Sequence, residues 1–179
     1  MKPKTVKREG SSNAGADRYF AMWGTPRPQA LFRGICANAL VVTMQGMRKV
    51  QDLRPGDELV TRCGGAVPLL SVEETSIATR AIYVIAGSLG HYQLDRDTLL
   101  PAEQTVLVRD WRARVLGGAN KILVTARDPV AGEYVRDIGF MPLSVYRLTC
   151  ATPAVIYADG MELGTADTEA TTKLRTPAV

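Results

Sequence analysis

The chain has 179 residues, of which 46% are hydrophobic, with 16 glycines and 10 prolines, as expected for one turn-rich globular domain with its own core. No apolar run is long enough to cross a bilayer, and the basic N-terminus lacks the apolar segment of a secretory signal peptide, so the sequence favours a cytoplasmic protein over a secreted one. Three cysteines are too few for a disulfide framework and no cysteine–histidine spacing indicates a metal site, so we expect neither metal nor cofactor.

The positive charge lies at the N-terminus. Residues 1–35 carry seven basic and two acidic residues, whereas the rest of the chain is close to neutral. Glycine and proline predict an extended segment over residues 1–34, which we call the arm. Its aromatic residues predict docking on the chain's own body or on a protein partner or larger assembly. The candidate binding residues of the arm are Lys2, Lys4, Lys7, Arg8, Tyr19, Phe20, Trp23 and Phe32.

After the arm, short β-rich runs alternate with glycine, proline and aspartate, which predicts an all-β domain over residues 35–165. A helical turn is predicted at Thr125–Val130, and the polar composition from Ala166 predicts a tail over residues 166–179. The predicted strands are Leu40–Thr43, Glu58–Thr61, Val67–Ile77 with a break near Pro68, Ala81–Ala86, Gln104–Val108, Ile122–Val124, Tyr134–Ile138, Val145–Cys150 and Val155–Tyr157.

The stretch Thr43–Thr61 contains the stiffest predicted turn. Pro55 presets its own φ at the second position of a tight turn, and Gly56 supplies a permissive backbone at the third. We expect the side chain of Asp57 to accept backbone N–H groups of this turn and to fix the two flanking strands.

The pattern of this stretch resembles the opening block of the Hint (hedgehog/intein) domains, in particular the bacterial Hint-2 group. The matching residues are Gly46, Val50, Asp52, Leu53, Pro55, Gly56, Asp57, Leu59 and Thr61. Further blocks resemble the group in the same order, namely Arg80–Gly90, Asp97–Val108, Trp111–Ala113, Ile122–Gly132 and Tyr146–Gly160. The resemblance implies an all-β horseshoe whose two ends lie close together.

Hint domains cleave or rearrange a peptide bond at their own N-terminal edge, where a thiol or hydroxyl attacks the preceding carbonyl and a histidine moves protons. Aligned without gaps, the nucleophile position falls on Gly34, while a two-residue deletion would place Cys36 there on the same side of the strand. The family's histidine positions fall on Gln104 and Asp128. The histidine and glutamate of the family's final block fall on Pro153 and Ala154, and a later glutamate falls on Gly164.

The resemblance therefore predicts a catalytically inactive Hint fold that acts as a structural or protein-interaction module, with no catalytic residue. Gln104 cannot replace a histidine because an amide does not titrate near neutral pH. The single histidine, His91, is predicted to be a surface residue in a turn. One alternative is self-cleavage near Cys36 through a thioester. Another is binding of nucleic acid or membrane phosphates by the basic arm, although the arm has no recognised nucleic-acid motif.

Overall fold

Two strands much longer than the sequence predicts run through the fold. The computed structural model describes residues 32–88, 96–130 and 133–166. Their strands are β1 (Ile35–Cys36), β2 (Leu40–Thr43), β3 (Gly46–Lys49), β4 (Glu58–Val60), β5 (Ala66–Val84), β6 (Thr98–Pro101), β7 (Thr105–Val108), β8 (Ile122–Thr125), β9 (Val135–Cys150), β10 (Val155–Ala158) and β11 (Met161–Gly164). The helix α1 spans Trp111–Gly117, and a 3₁₀ turn spans Val50–Asp52.

The strands β5 and β9 each join two runs that the sequence separates. Pro68 does not break β5, because it pairs with Glu58 of β4 close to a register shift at Leu69–Ser71, where the strand accommodates an irregularity. In β9, Gly139 has a φ of 86° and lies at a second register shift, so the strand continues through a bulge. The two strands pair antiparallel from Leu69–Cys150 to Val84–Val135.

All the strands of the described residues connect through antiparallel pairs. The order is β1-β9-β5-β4-β2-β10-β11-β7-β8, with β3 on β2 and β6 on β5. Most of the buried apolar side chains form one large cluster, whose bulkiest members include Leu59, Leu69, Ile82, Leu100, Ile156 and Leu163. The described part of the protein is thus all-β apart from one short helix, as the sequence predicts.

The one α-helix of the described residues lies where the sequence analysis does not place it. Asp110 caps the start of α1 by accepting the Arg112 N–H at 2.9 Å, and Gly118 ends the helix in the left-handed region with a φ of 69°. The predicted helical turn at Thr125–Val130 is instead a series of turns. Its Asp128 carboxylate accepts the Thr125 N–H at 2.8 Å, which satisfies the backbone locally.

The turn Arg54–Asp57 joins the 3₁₀ turn to β4. Gly56 has a φ of 95°, which favours glycine. The Asp57 carboxylate accepts the Arg54 N–H at 2.8 Å and faces the Arg48 guanidinium at 3.0 Å. The backbone around the turn exchanges hydrogen bonds with Leu69 of β5, so the turn fixes β4 against β5.

Among the helices of residues 32–88, 96–130 and 133–166, none has the length and apolarity that crossing a membrane requires.

Candidate functional site

The two ends of the described fold meet along one edge of β9. At the N-terminal end, Ile35 of β1 pairs with Tyr146. At the C-terminal end, the Ala166 N–H donates to the Leu148 carbonyl at 2.9 Å. Since Tyr146 and Leu148 are two residues apart on the same strand, the chain enters and leaves the domain at neighbouring places. This is where the resemblance locates a peptide-cleaving site.

Gly34 is buried just before β1, and its surroundings are tight. A β-carbon added there would lie 3.2 Å from Cε1 of Phe32 and 3.2 Å from the carbonyl oxygen of Tyr146. Position 34 therefore offers no attacking atom, and the Phe32 ring lies against the space where a nucleophile's side chain would begin.

Gln104 is buried at the start of β7, with 1% of its surface exposed. Its Nε2 donates to the Gly164 carbonyl at 2.8 Å and to the Thr105 carbonyl at 3.1 Å. The backbone carbonyl of Gln104 accepts the Ala126 N–H at 2.8 Å. The side-chain amide thus ties β7 to the end of β11, and its nitrogen is a fixed hydrogen-bond donor. The backbone carbonyl of Gln104 makes the link to the turn after β8.

The other positions that the resemblance assigns to reactive groups contain structural contacts. The Ala154 N–H donates to Oγ1 of Thr165 at 3.1 Å, and the Thr165 N–H donates back to the Ala154 carbonyl at 2.9 Å. Asp128 is exposed and its carboxylate bonds to the N–H and hydroxyl of Thr125. The segment Gly164–Ala166 therefore contacts Gln104, Ala154 and β9.

Cys36 lies in β1 opposite Val145 and points to the opposite side from Ile35, because strand side chains alternate. It packs with Phe32 against a small apolar cluster of Ile77, Ala81, Leu143 and Val145. Burial and, as a smaller contribution, the negative charge of Asp159 together raise the pKa of the Cys36 thiol to about 12. The thiol is therefore protonated at neutral pH.

The carboxylate of Asp159, whose negative charge acts on Cys36, is itself bonded to other groups. It accepts the Leu40 N–H at 2.9 Å and the Arg96 Nη2 at 2.6 Å, and the Thr98 hydroxyl donates to it at 3.2 Å. Only 3% of its side chain is exposed. This carboxylate therefore links its own turn to Leu40 and to the segment Arg96–Thr98, which is a structural role.

The sequence model of the Hint domain matches residues 34–169 of the chain. This match covers more than half of the 179 residues. The chain belongs to the Hint family. A comparison with curated protein sequences gave no match.

Solved structures of inteins and an intein-like domain are similar to this Hint domain. The MchDnaB-1 intein has a TM-score of 0.49 and 13% identity, over 73% of this chain and 98% of the intein. A bacterial intein-like domain from Clostridium thermocellum has a TM-score of 0.48 and 12% identity, over 74% of this chain and 97% of that domain. A DnaB intein from Synechocystis has a TM-score of 0.48 and 12% identity, over 74% of this chain and 98% of the intein.

The structure places the sequence-derived positions as follows. Gly34 lies beside Tyr146 at the N-terminal end of the Hint domain. Gln104 and Ala154 bond to Gly164 and Thr165 at its C-terminal end, while Pro55, Gly56 and Asp57 form a turn elsewhere. Phe32 packs on the body of the domain. The remaining candidates lie outside the described residues, namely His91, Lys2, Lys4, Lys7, Arg8, Tyr19, Phe20 and Trp23.

Two features of the site have no signal in the sequence. Thr165 and Ala166 lie at the boundary of the predicted polar tail, yet Thr165 is only 2% exposed. Thr165 bonds to Ala154, just before β10, and Ala166 bonds to Leu148 of β9. Their partners are distant in the chain, so only the folded topology identifies them. Within the parts of the chain that the structure describes, no group of three or more histidine, cysteine or acidic side chains could hold a metal ion.

Proposed function

We propose that this Hint domain keeps the family's fold, does not cleave its own chain, and acts as a protein-interaction module. The observation that carries the proposal is the hydrogen bonding of Gln104. Its Nε2 is directed at two backbone carbonyls, 2.8 and 3.1 Å away, in a buried environment. An amide in this position accepts no proton, so general acid–base assistance, worth ~10² to 10⁴ in rate, is missing.

The properties of the two nucleophile candidates also support the proposal. Gly34 has no side chain to attack with. Cys36 has a thiol, but its pKa of about 12 leaves only about one thiol in 10⁵ ionised at pH 7. Because the thiolate is the reactive form, thioester formation at Cys36 is disfavoured twice, by protonation and by burial among apolar side chains.

The exposed surface supports an interaction role. Trp111 and Val115, which lie one turn apart on α1, are 65% and 72% exposed. Large apolar side chains that remain in water on ordered elements favour association with another molecule.

The test is the intact mass of freshly purified protein, followed over days with and without a strong thiol. We expect the full-length mass throughout. Gln104→His together with Gly34→Cys restores a base and a nucleophile, and Phe32→Ala added to this pair makes room for the new side chain at position 34. A new break near residues 33–36 in the triple variant, but not in the parent, would show that missing chemistry is what prevents cleavage.

Cleavage of the unmodified protein would contradict the proposal. If the unmodified protein breaks near residues 33–36 and Cys36→Ala stops the break, the domain is self-cleaving and the proposal is wrong. Cys63→Ala is the matched control, because Cys63 is an exposed free cysteine in the β4–β5 connection.

A further inference from the structure

The helix α1 presents two large apolar side chains to solvent. Trp111 and Val115 are four residues apart, and Arg114 lies between them at three residues from Trp111, so all three share one side of the helix. The other side faces the core, where Ala113 is fully buried. Arg114 reaches Asn120 through a 3.2 Å hydrogen bond, next to the exposed Lys121. We call Trp111, Arg114, Val115 and Lys121 the helix patch.

The helix patch lies on a firmly held element. A β-carbon at Gly117 would lie 2.1 Å from Cδ1 of Ile122, so the end of the helix packs directly against the Ile122 side chain of β8. The Arg112 guanidinium lies 5.4 Å from the centroid of the Trp111 ring and is itself held by Asp110 at 2.8 Å and the Ser88 carbonyl at 2.7 Å. An exposed ring with a fixed neighbour loses little freedom on binding.

The charge around the patch is unbalanced. Residues 109–121 contain four basic residues and one acidic residue. Arg112 pairs with Asp110, and Arg109 pairs with the buried Glu162 at 2.9 Å. Within the described residues, no carboxylate pairs with Arg114 or Lys121. The two free cations beside the apolar pair match a ligand that combines a negative charge with an apolar group.

We propose that the helix patch binds a protein segment in which an acidic residue lies next to a bulky apolar residue. The inference rests on the proposed function and names its partner. An open depression of about 500 Å³ adjoins Trp111 and is lined by Arg109, Asp110, Trp111, Arg114 and Asn120. It receives side chains of a peptide, whereas a flat membrane surface would leave it unfilled. Tryptophan and arginine are the residues that most often dominate such interfaces.

The test is selection of phage-displayed random dodecapeptides on the full-length protein, followed by measurement of binding with synthesised peptides. We expect enriched peptides to contain glutamate or aspartate beside leucine, phenylalanine or tryptophan. Trp111→Ala with Val115→Ser should weaken binding at least about tenfold. Arg114→Glu should do the same and should favour a peptide whose acidic residue is replaced by lysine.

Phe140→Ala is the matched control, because it removes an exposed apolar side chain from β9 and should leave peptide binding unchanged. Circular dichroism of each variant checks that the fold is kept. The inference is overturned if no peptide is enriched, if the enriched peptides are not acidic, or if the patch variants bind as well as the parent. It is also overturned if phosphatidylserine vesicles or an oligothymidylate bind the patch instead.

The two proposals fail in distinguishable ways. Peptide binding is read on intact protein, whereas self-cleavage is read by mass. A protein that cleaves itself yet binds acidic peptides through the helix patch would contradict the proposed loss of activity and keep this inference. A protein that stays intact but binds no peptide would agree with the proposed loss of activity and contradict this inference.

Discussion

The buried side chain of Gln104 shows how one residue can hold several segments of the fold together. Its amide nitrogen satisfies carbonyls on two strands, and its backbone carbonyl satisfies a third segment. A histidine at the same place could donate from one ring nitrogen and keep the other free as an acceptor. The two side chains differ because an imidazole nitrogen can take up a proton near neutral pH, whereas the amide of glutamine does not titrate there.

Replacing Gln104 with methionine should keep the shape and remove the donor. The carbonyls of Gly164 and Thr105 then lose a buried hydrogen-bond donor, so we expect the free energy of unfolding to fall by about 1–3 kcal/mol. Urea denaturation measures the change. Gln51→Met is the control, because Gln51 bonds to Asn38 at an exposed position and should cost less than about 1 kcal/mol. Equal costs would show that burial of Gln104 contributes nothing.

Cysteine reactivity provides a second measurement at the residue scale. Cys63 is exposed, Cys150 is buried, and Cys36 is partly buried with a pKa raised to about 12. At pH 8, iodoacetamide should label Cys63 first, as mass spectrometry of peptides would show. The rate at Cys36 should rise about tenfold per pH unit from pH 8 to 11, because the thiolate fraction does. Fast labelling of Cys36 at neutral pH would contradict the burial argument.

The raised pKa of the Cys36 thiol also makes the stability of the protein depend on pH. The folded protein holds the Cys36 proton more tightly than the unfolded chain, whose thiol titrates near 9.0. The stabilising contribution is therefore complete below about pH 9 and is lost as the pH rises towards 12. The unfolding free energy of the parent should fall more steeply over this range than that of Cys36→Ala.

At the scale of elements, the turn Arg54–Asp57 shows how a short polar segment positions strands. Its Asp57 carboxylate accepts the Arg54 N–H and pairs with Arg48 on β3. Asp57→Ala should reduce stability on the order of 1 kcal/mol, and a double-mutant cycle with Arg48→Ala separates the ion pair from the turn contact. An unchanged denaturation midpoint for Asp57→Ala would show that the Gly56 backbone alone holds the turn.

The elements also show which features the sequence could predict. Strands such as β2, β7, β8 and β10 are predicted near their observed positions, because each is a short apolar run bounded by turn residues. The lengths of β5 and β9 are not predictable locally, since pairing between the two strands carries them past Pro68 and Gly139. The helix α1 is too short for a helical period to stand out, and its cap at Asp110 resembles an ordinary turn.

The candidate site was also only partly predictable from the sequence. The family resemblance identified six reactive positions, namely Gly34, Gln104, Asp128, Pro153, Ala154 and Gly164. The folded chain places Gly34, Gln104, Ala154 and Gly164 at the two ends of the domain. The side chains that surround these positions could be identified only from the folded structure. Neither the Phe32 ring beside Gly34 nor the contacts of Thr165 can be deduced from residue order, because their partners lie far away in the chain.

At the scale of the whole molecule, the segment Gly164–Ala166 closes the fold. It bonds to β7 through Gln104, to the residue before β10 through Ala154, and to β9 through Leu148. In a self-cleaving domain such a closure would align reacting groups. Here the same contacts join the ends of the sheet, and the closure contributes to stability whether or not any chemistry occurs.

Truncation should reveal this closure. Ending the chain after Leu163 removes at least four hydrogen bonds, one from Gln104 to Gly164, two between Ala154 and Thr165, and one from Ala166 to Leu148. At about 1 kcal/mol each, we expect a loss on the order of 4 kcal/mol in the free energy of unfolding. Ending the chain after Ala166 keeps all four bonds and removes only residues 167–179, which belong to the predicted polar tail, so its urea midpoint should match the full-length protein. Equal midpoints for the two truncations would show that the contacts between the ends do not stabilise the domain. A large loss in the longer truncation would show that residues beyond Ala166 contribute to the fold.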